Sequence, residues 1–181
     1  MSQLPDDRPL FLVGFMGTGK TSVGEELARS RRIDLVDTDA VIEASEGRSI
    51  ERIFADSGED HFRRLECELL EKVASRKRIV VATGGGIFLA RANRKLIRRA
   101  GPSVWLDVPL EVLRDRLGRG AGRPLWSPDN TVGLRAMFER RRAAYALADH
   151  RVDGSRGTPG EIAAEVSRRL APRSPETRIR R

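Results

Sequence analysis

The run Gly14-Phe15-Met16-Gly17-Thr18-Gly19-Lys20-Thr21 satisfies G-x-x-x-x-G-K-[ST], and its residue types suit one task, holding a polyphosphate. Successive backbone N–H groups at a helix N-terminus converge on an anion. Glycine leaves no Cβ in the way of that approach. Lys20 has the reach to meet β- and γ-phosphates, and the Thr21 hydroxyl is placed as a ligand for Mg2+. Gly17, Thr18, Gly19, Lys20, Thr21 and Ser22 are thus the candidate phosphate contacts. The chain has 34 Lys and Arg residues, only four of them Lys, so a lysine at this slot carries weight.

Two further groups belong with this cradle. Asp37 and Asp39 close the segment Leu35-Val36-Asp37-Thr38-Asp39, and Thr83-Gly84-Gly85-Gly86 follows the apolar run Ile79-Val80-Val81-Ala82. In an open α/β sheet ligands bind beyond the carboxyl ends of the strands, which would bring all three groups to one rim. The third strand ends in Thr-Gly, without the acidic metal partner usual in such sites. Asp37 is the replacement expected to hold Mg2+, directly or through water. Asp39 is expected to face an acceptor hydroxyl and take its proton or hydrogen bond. For either Asp taken alone, capping the next helix is the competing role. The triple glycine allows backbone N–H groups to approach a ligand that a Cβ would block.

The elements that must position these groups alternate between strand and helix. Strands are expected at Leu10–Val13, Ile33–Val36, Ile79–Ala82, Ser103–Val108 and Arg151–Val152. Helices are expected at Ser22–Arg31, Ala40–Glu46, Ile50–Ser57, Asp60–Ser75, Arg91–Ala100, from Pro109 to near Gly118, from Thr131 to about Leu147, and at Pro159–Leu170. Gly47 closes the second helix, Ser49 caps the third, and Gly58 stops it. This order predicts an α/β fold with a parallel sheet and helices on both faces. Arg119–Asn130, RGAGRPLWSPDN, is too rich in Gly and Pro for either element. A loop of that length inside a compact domain is a functional lid or disordered.

A chain of 181 residues suits one domain with a substantial core. A single cysteine, Cys67, excludes a disulfide framework and fits a reducing cytosol. Cys67 reads as packing, and His61 and His150 read as ordinary surface residues. No apolar run approaches the ~18 residues of a membrane span, and the opening MSQLPDDRP lacks the features of a signal peptide. The expected setting is therefore the cytoplasm. The net charge of +8 is spread along the chain and aromatics are few, which speaks against nucleic acid and for a phosphate-handling site. Residues 1–9 are expected to be flexible, 10–170 to form the domain, and 171–181 to be a basic disordered tail.

Together, LVDTD, HFRRLE at His61–Glu66 and TGGG at Thr83–Gly86, each after the GFMGTGKT cradle, resemble the shikimate kinase family from about Leu10 to Leu170. The resemblance implies a P-loop kinase of nucleotide-kinase-like fold, with a five-stranded parallel sheet and a mobile lid at about 118–130. It implies ATP and shikimate as substrates, Mg2+ as cofactor, and transfer of the γ-phosphoryl group to the 3-hydroxyl within aromatic amino-acid biosynthesis. By position, Asp39 matches the aspartate that holds the ring hydroxyls, and Arg63 and Arg141 match the arginines that grip the carboxylate. Arg140 and Arg142 leave that last choice open by one position. Gly85, flanked by Gly84 and Gly86, matches a backbone contact to the substrate. Arg123 matches the lid arginine that approaches the transferred group. Arg116, Pro159 and Arg156 resemble adenine-side contacts, although Arg156 stands one place from the expected position. From charge alone, Arg63 equally suits a solvated helix face beside Arg64 and Glu66. A bidentate cation is nevertheless what a carboxylate pocket needs.

Catalysis by Lys20, Asp39 and Arg123 would be positioning and electrostatics, with little covalent work. A monomer is expected. Two other readings are a kinase for another small hydroxy-acid, such as gluconate, and a ligand-sensing module of the same fold without turnover. An arginine acting on the transferred group is worth roughly 10³–10⁵ in rate. Arg123→Ala should therefore lower kcat by about that scale while weakening shikimate binding much less, and steady-state kinetics reads both.

Overall fold

A computed structural model describes residues 7–117 and 131–171. The expected lid with Arg123, most of the expected tail and the first six residues lie outside the described residues.

Strand β1 (Leu10–Val13) is wholly buried, as a continuous apolar run predicts for a central parallel strand. It lies between β3 (Ile79–Ala82) and β4 (Ser103–Asp107); β2 (Asp34–Asp37) and β5 (His150–Asp153) are the edges, giving the order β2-β3-β1-β4-β5. Every pairing is parallel, with Leu12 and Asp37 both level with Ala82. Because successive side chains alternate faces, β1 feeds two cores. Phe11 and Val13 join one cluster with Leu70 and Val73, Ile97, Leu113, Leu134 and Phe138. These come from α3 (Ile50–Ala74), α4 (Arg91–Ala100), α5 (Leu110–Leu117) and α6 (Thr131–Tyr145). Leu10 and Leu12 join the other cluster with Val23, Leu27, Ile162 and Val166, from α1 (Lys20–Arg31) and α7 (Pro159–Leu170). Helices thus cover both faces of a five-stranded sheet, as expected. Among the described residues no helix is long and apolar enough to cross a membrane.

Local chemistry sets the boundaries. Gly19, left-handed at φ 87°, caps α1, which therefore starts at Lys20 rather than Ser22. Gly47 closes α2 (Thr38–Glu46) at φ 65°, and the Ser49 hydroxyl accepts from Arg52 N–H at the start of α3. Thr158 and Glu161 form a reciprocal capping box at α7, with Pro159 in its first turn. α3 combines the two helices expected around Gly58. That residue sits inside it at φ 79°, ψ 171°, a non-helical conformation that kinks the rod. Across the kink, Ile42, Ile53 and Phe62 make a small separate core that fixes α2 against both arms of α3.

A Cβ at Gly58 would meet open space, so a side chain there costs backbone strain alone. Gly58→Ala should lower the unfolding free energy by about 1–3 kcal/mol. Urea denaturation with an unchanged slope checks it.

Candidate active site

The loop after β1 wraps into α1 as the sequence pattern requires. Gly14, Gly17 and Gly19 take φ of 146°, 76° and 87°, and Thr18 closes the turn by donating to the Phe15 carbonyl at 2.9 Å. The Lys20 ammonium lies across the loop mouth, donating to the carbonyls of Gly14 at 3.0 Å and Phe15 at 2.8 Å. Thr21 and Ser22 are exposed in the first turn of α1. The Thr21 hydroxyl donates to Asp37 Oδ2 at 2.6 Å, while Asp37 Oδ1 accepts from the N–H groups of Asp39 and Ala40 and caps α2. Asp37 therefore takes the capping role with one oxygen and meets Thr21 with the other.

Around the end of β3 the backbone is crowded on every side. Thr83 donates to the Leu12 carbonyl from both N–H and hydroxyl, and Gly84 N–H donates to Thr38 Oγ1 at 2.7 Å. A Cβ at Gly84 would strike the carboxylates of Asp39 and Glu66, and one at Gly86 would overlap the Arg63 guanidinium. A Cβ at Gly85 would stand 3.6 Å from Arg141 Nη1 and 3.7 Å from both the Gly14 carbonyl and the Met16 nitrogen. The glycine loop, Asp39, Arg63 and Arg141 thus meet one another beside the start of the phosphate cradle. Gly85 and Gly86 N–H donate to no protein acceptor among the described residues.

Arg63 is held by α3 itself. Its Nη1 donates to Glu66 Oε2 at 2.5 Å, one turn on, and Nη2 and Nε donate to Glu59 at 2.7 and 3.1 Å, one turn back. Burial works against the guanidinium's charge, but the Glu66 and Glu59 carboxylates outweigh it and raise its pKa. Glu66 is 1% exposed, with Oε1 buried and without a hydrogen-bond partner among the described residues. Burial pushes its carboxyl up to about 7, only partly countered by Arg63, and the nearby Asp39 adds to the rise. Of the three successive arginines on α6, Arg140 is exposed and Arg142 pairs with Asp107 at 3.3 Å over the Trp105 ring. Arg141 is the buried one, 7% exposed, facing the glycine loop and stacked 5.6 Å from the Phe15 centroid. Desolvation lowers its pKa.

On the far side of the cradle, Arg116 at the end of α5 donates to the carbonyls of Gly154 at 2.9 Å and Ser155 at 3.3 Å. This ties it to the loop that carries Arg156 and leads into Pro159. Arg156 also lines a groove of about 690 Å³ along the β4–β5 edge, with Asp107, Arg142 and Arg151. In that groove both arginines pair with the same oxygen of Asp107. Sequence reasoning gave no role to Glu66, Thr38 or Tyr145. The i, i+3 spacing of Arg63 and Glu66 was the one available signal; the other two contacts join residues 46 and 60 positions apart.

The comparisons with known proteins agree with this geometry. Residues 16–171 match the family described as shikimate kinase. A shikimate kinase of Synechococcus elongatus is 48% identical over 144 residues, 79% of this chain and 75% of the relative. The solved shikimate kinase from Acinetobacter baumannii in complex with shikimate superposes with a TM-score of 0.86 at 31% identity, covering 96% of both chains. A gluconokinase from Sinorhizobium meliloti, at 22% identity and a TM-score of 0.61, shares the fold alone over 91% of this chain and 94% of its own. The cradle from Met16 onward, the glycine loop and the flanking arginines all fall within the matched span, and the chain belongs to the shikimate kinase family.

Proposed function

We propose that this chain transfers the γ-phosphoryl group of ATP to the 3-hydroxyl of shikimate, giving shikimate 3-phosphate and ADP for aromatic amino-acid biosynthesis. The observation that carries this is the meeting of Arg63, Arg141, Asp39 and the glycine loop directly beside the Lys20 cradle. Shikimate presents a carboxylate and three hydroxyls. Two guanidinium groups and the N–H groups of Gly85 and Gly86 suit the first, and the Asp39 carboxylate suits the second.

In this reading the N–H groups of Gly17, Thr18 and Gly19, with Lys20 and Ser22, hold the phosphates. Arg116, Arg156 and Pro159 border the adenine, and Gly84 lets Asp39 close on the ring. Asp39 accepts the proton of the attacking hydroxyl, and Lys20 offsets charge on the transferred group. The donor set at Thr21 and Asp37 fits Mg2+, because two hard oxygens lie 2.6 Å apart. Thr21 and Asp37 would hold the ion, which would supply charge neutralisation on the nucleotide phosphates. Arg123 is assigned to the transferred group from the sequence alone. A monomer working in the cytoplasm is part of the same proposal.

Incubation with ATP, Mg2+ and either shikimate or gluconate, followed by mass spectrometry, should yield shikimate 3-phosphate and no phosphogluconate. Binding of shikimate with no product would instead identify a sensing module. Arg63→Lys keeps a cation beside Glu66 but loses the planar fork. It should weaken shikimate at least about tenfold and leave ATP unchanged, by calorimetry with each ligand.

Glu66 generates a pH dependence with a definite sign. Its folded pKa lies near 7, above the 4.5 of an unperturbed carboxyl. The folded state therefore binds the extra proton, and stability is fully present below about 4.5 and lost as pH rises through 7. The loss is on the order of 3 kcal/mol at most. Chemical denaturation at pH 5 and pH 8 should show this decline in the wild type and a flatter profile in Glu66→Gln. Parallel profiles would refute it.

A further inference from the structure

Tyr145 is the last residue of α6, 2% exposed, and belongs to neither the nucleotide contacts nor the substrate contacts described above. Its ring packs at 6.3 Å from Trp105, and its hydroxyl donates to the Gly85 carbonyl at 2.6 Å. Arg141 stands one helical turn earlier on the same face. Its guanidinium and the Tyr145 hydroxyl interact, each altering the other's proton affinity. Arg141 also borders the Gly85 backbone. One phenol therefore meets both a guanidinium and a backbone carbonyl.

We infer that Tyr145 is a positioning residue for the substrate's carboxylate, acting by orienting the Gly85–Gly86 peptide and the Arg141 guanidinium at once. This rests on the shikimate reading above. In a trans peptide the C=O and the following N–H point in opposite directions. Pinning the Gly85 carbonyl onto Tyr145 therefore turns the Gly86 N–H away from α6. A glycine pair has no side chains to resist rotation of that peptide, so an external anchor is what gives it a single orientation. Burial pushes the phenol up to about 12, so it stays a donor at any working pH. Nothing else on α6 does this: Arg140 is exposed and Arg142 is engaged with Asp107.

Tyr145→Phe keeps the ring and removes the donor. The KM for shikimate should rise about tenfold, the scale of one net hydrogen bond, with the KM for ATP within twofold. The penalty should vanish when wild type and variant are compared on the carboxamide of shikimate, which lacks the anion. Tyr145→p-aminophenylalanine restores a donor in the same place and should recover the shikimate KM. It also keeps the test open if the phenylalanine variant does not fold. An unchanged shikimate KM in a folded Tyr145→Phe would overturn the inference, as would an equal rise for shikimate, ATP and the carboxamide. If the wild type fails to phosphorylate shikimate, the functional reading falls instead, and the two failures are told apart.

Discussion

Just beyond β3, at Gly84 and Gly86, there is no room for a side chain, and the rest of the site is built around that restriction. A methyl group at Gly84 would displace Asp39 and Glu66, and one at Gly86 would displace Arg63. Because the positions are bare, α2, α3 and α6 each bring a side chain directly onto main chain. The loop's own polar groups then tie down the arriving elements. Gly84 N–H meets Thr38 of α2, Gly85 C=O meets Tyr145 of α6, and Thr83 meets Leu12 of β1. Buried backbone groups need partners, so the hydrogen bonds that satisfy the loop also assemble the pocket.

The charges gathered there are balanced narrowly. Two guanidinium groups, Arg63 and Arg141, face two carboxylates, Asp39 and Glu66, in surroundings that include Phe15 and Phe62. A buried ion pair seldom repays its desolvation unless its hydrogen bonds are complete, and Glu66 keeps one oxygen without a partner among the described residues. A substrate carboxylate would be a third anion against two cations. Glu66, with its pKa near 7, is the group placed to take up a proton when that happens. Glu59, exposed on the outer edge of Arg63, accepts from both Nε and Nη2 on one oxygen, so the edge that a bidentate carboxylate prefers is free for a substrate only when that exposed pair opens.

Much of this was readable from residue order, because strand and helix periodicities and glycine stops are local signals. The order of strands and helices, the cradle, the break in helix at Gly58 and the cap at Ser49 all follow from neighbours within a few positions. The choice among Arg140, Arg141 and Arg142 did not. It depends on which face of α6 packs toward β3. Glu66 looked like an ordinary partner for a helix-surface arginine; only the depth of α3 in the fold makes it a buried acid. Tyr145 and Thr38 were illegible because their partners are glycine main chain, which carries no sequence pattern of its own.

Asp37 shows how a helix cap leaves room for a second role on the same carboxylate. A carboxylate has two oxygens and about four acceptor sites. Oδ1 takes the N–H groups of Asp39 and Ala40 at the open end of α2, and Oδ2 takes the Thr21 hydroxyl at the open end of α1. The cap is not an alternative to the proposed metal-side role but the device that aims it. Two N–H groups on one oxygen restrict rotation of the carboxyl group and direct the other oxygen toward the phosphate cradle. α2 begins immediately after β2 and carries Asp39 in its first turn. The same capping bonds therefore set the distance between the residue proposed for the metal and the residue proposed for the acceptor hydroxyl. The spacing of Asp37 and Asp39 in the chain is thus fixed by one helix N-terminus, which carries both the carboxylate proposed for the metal and the one proposed for the acceptor hydroxyl.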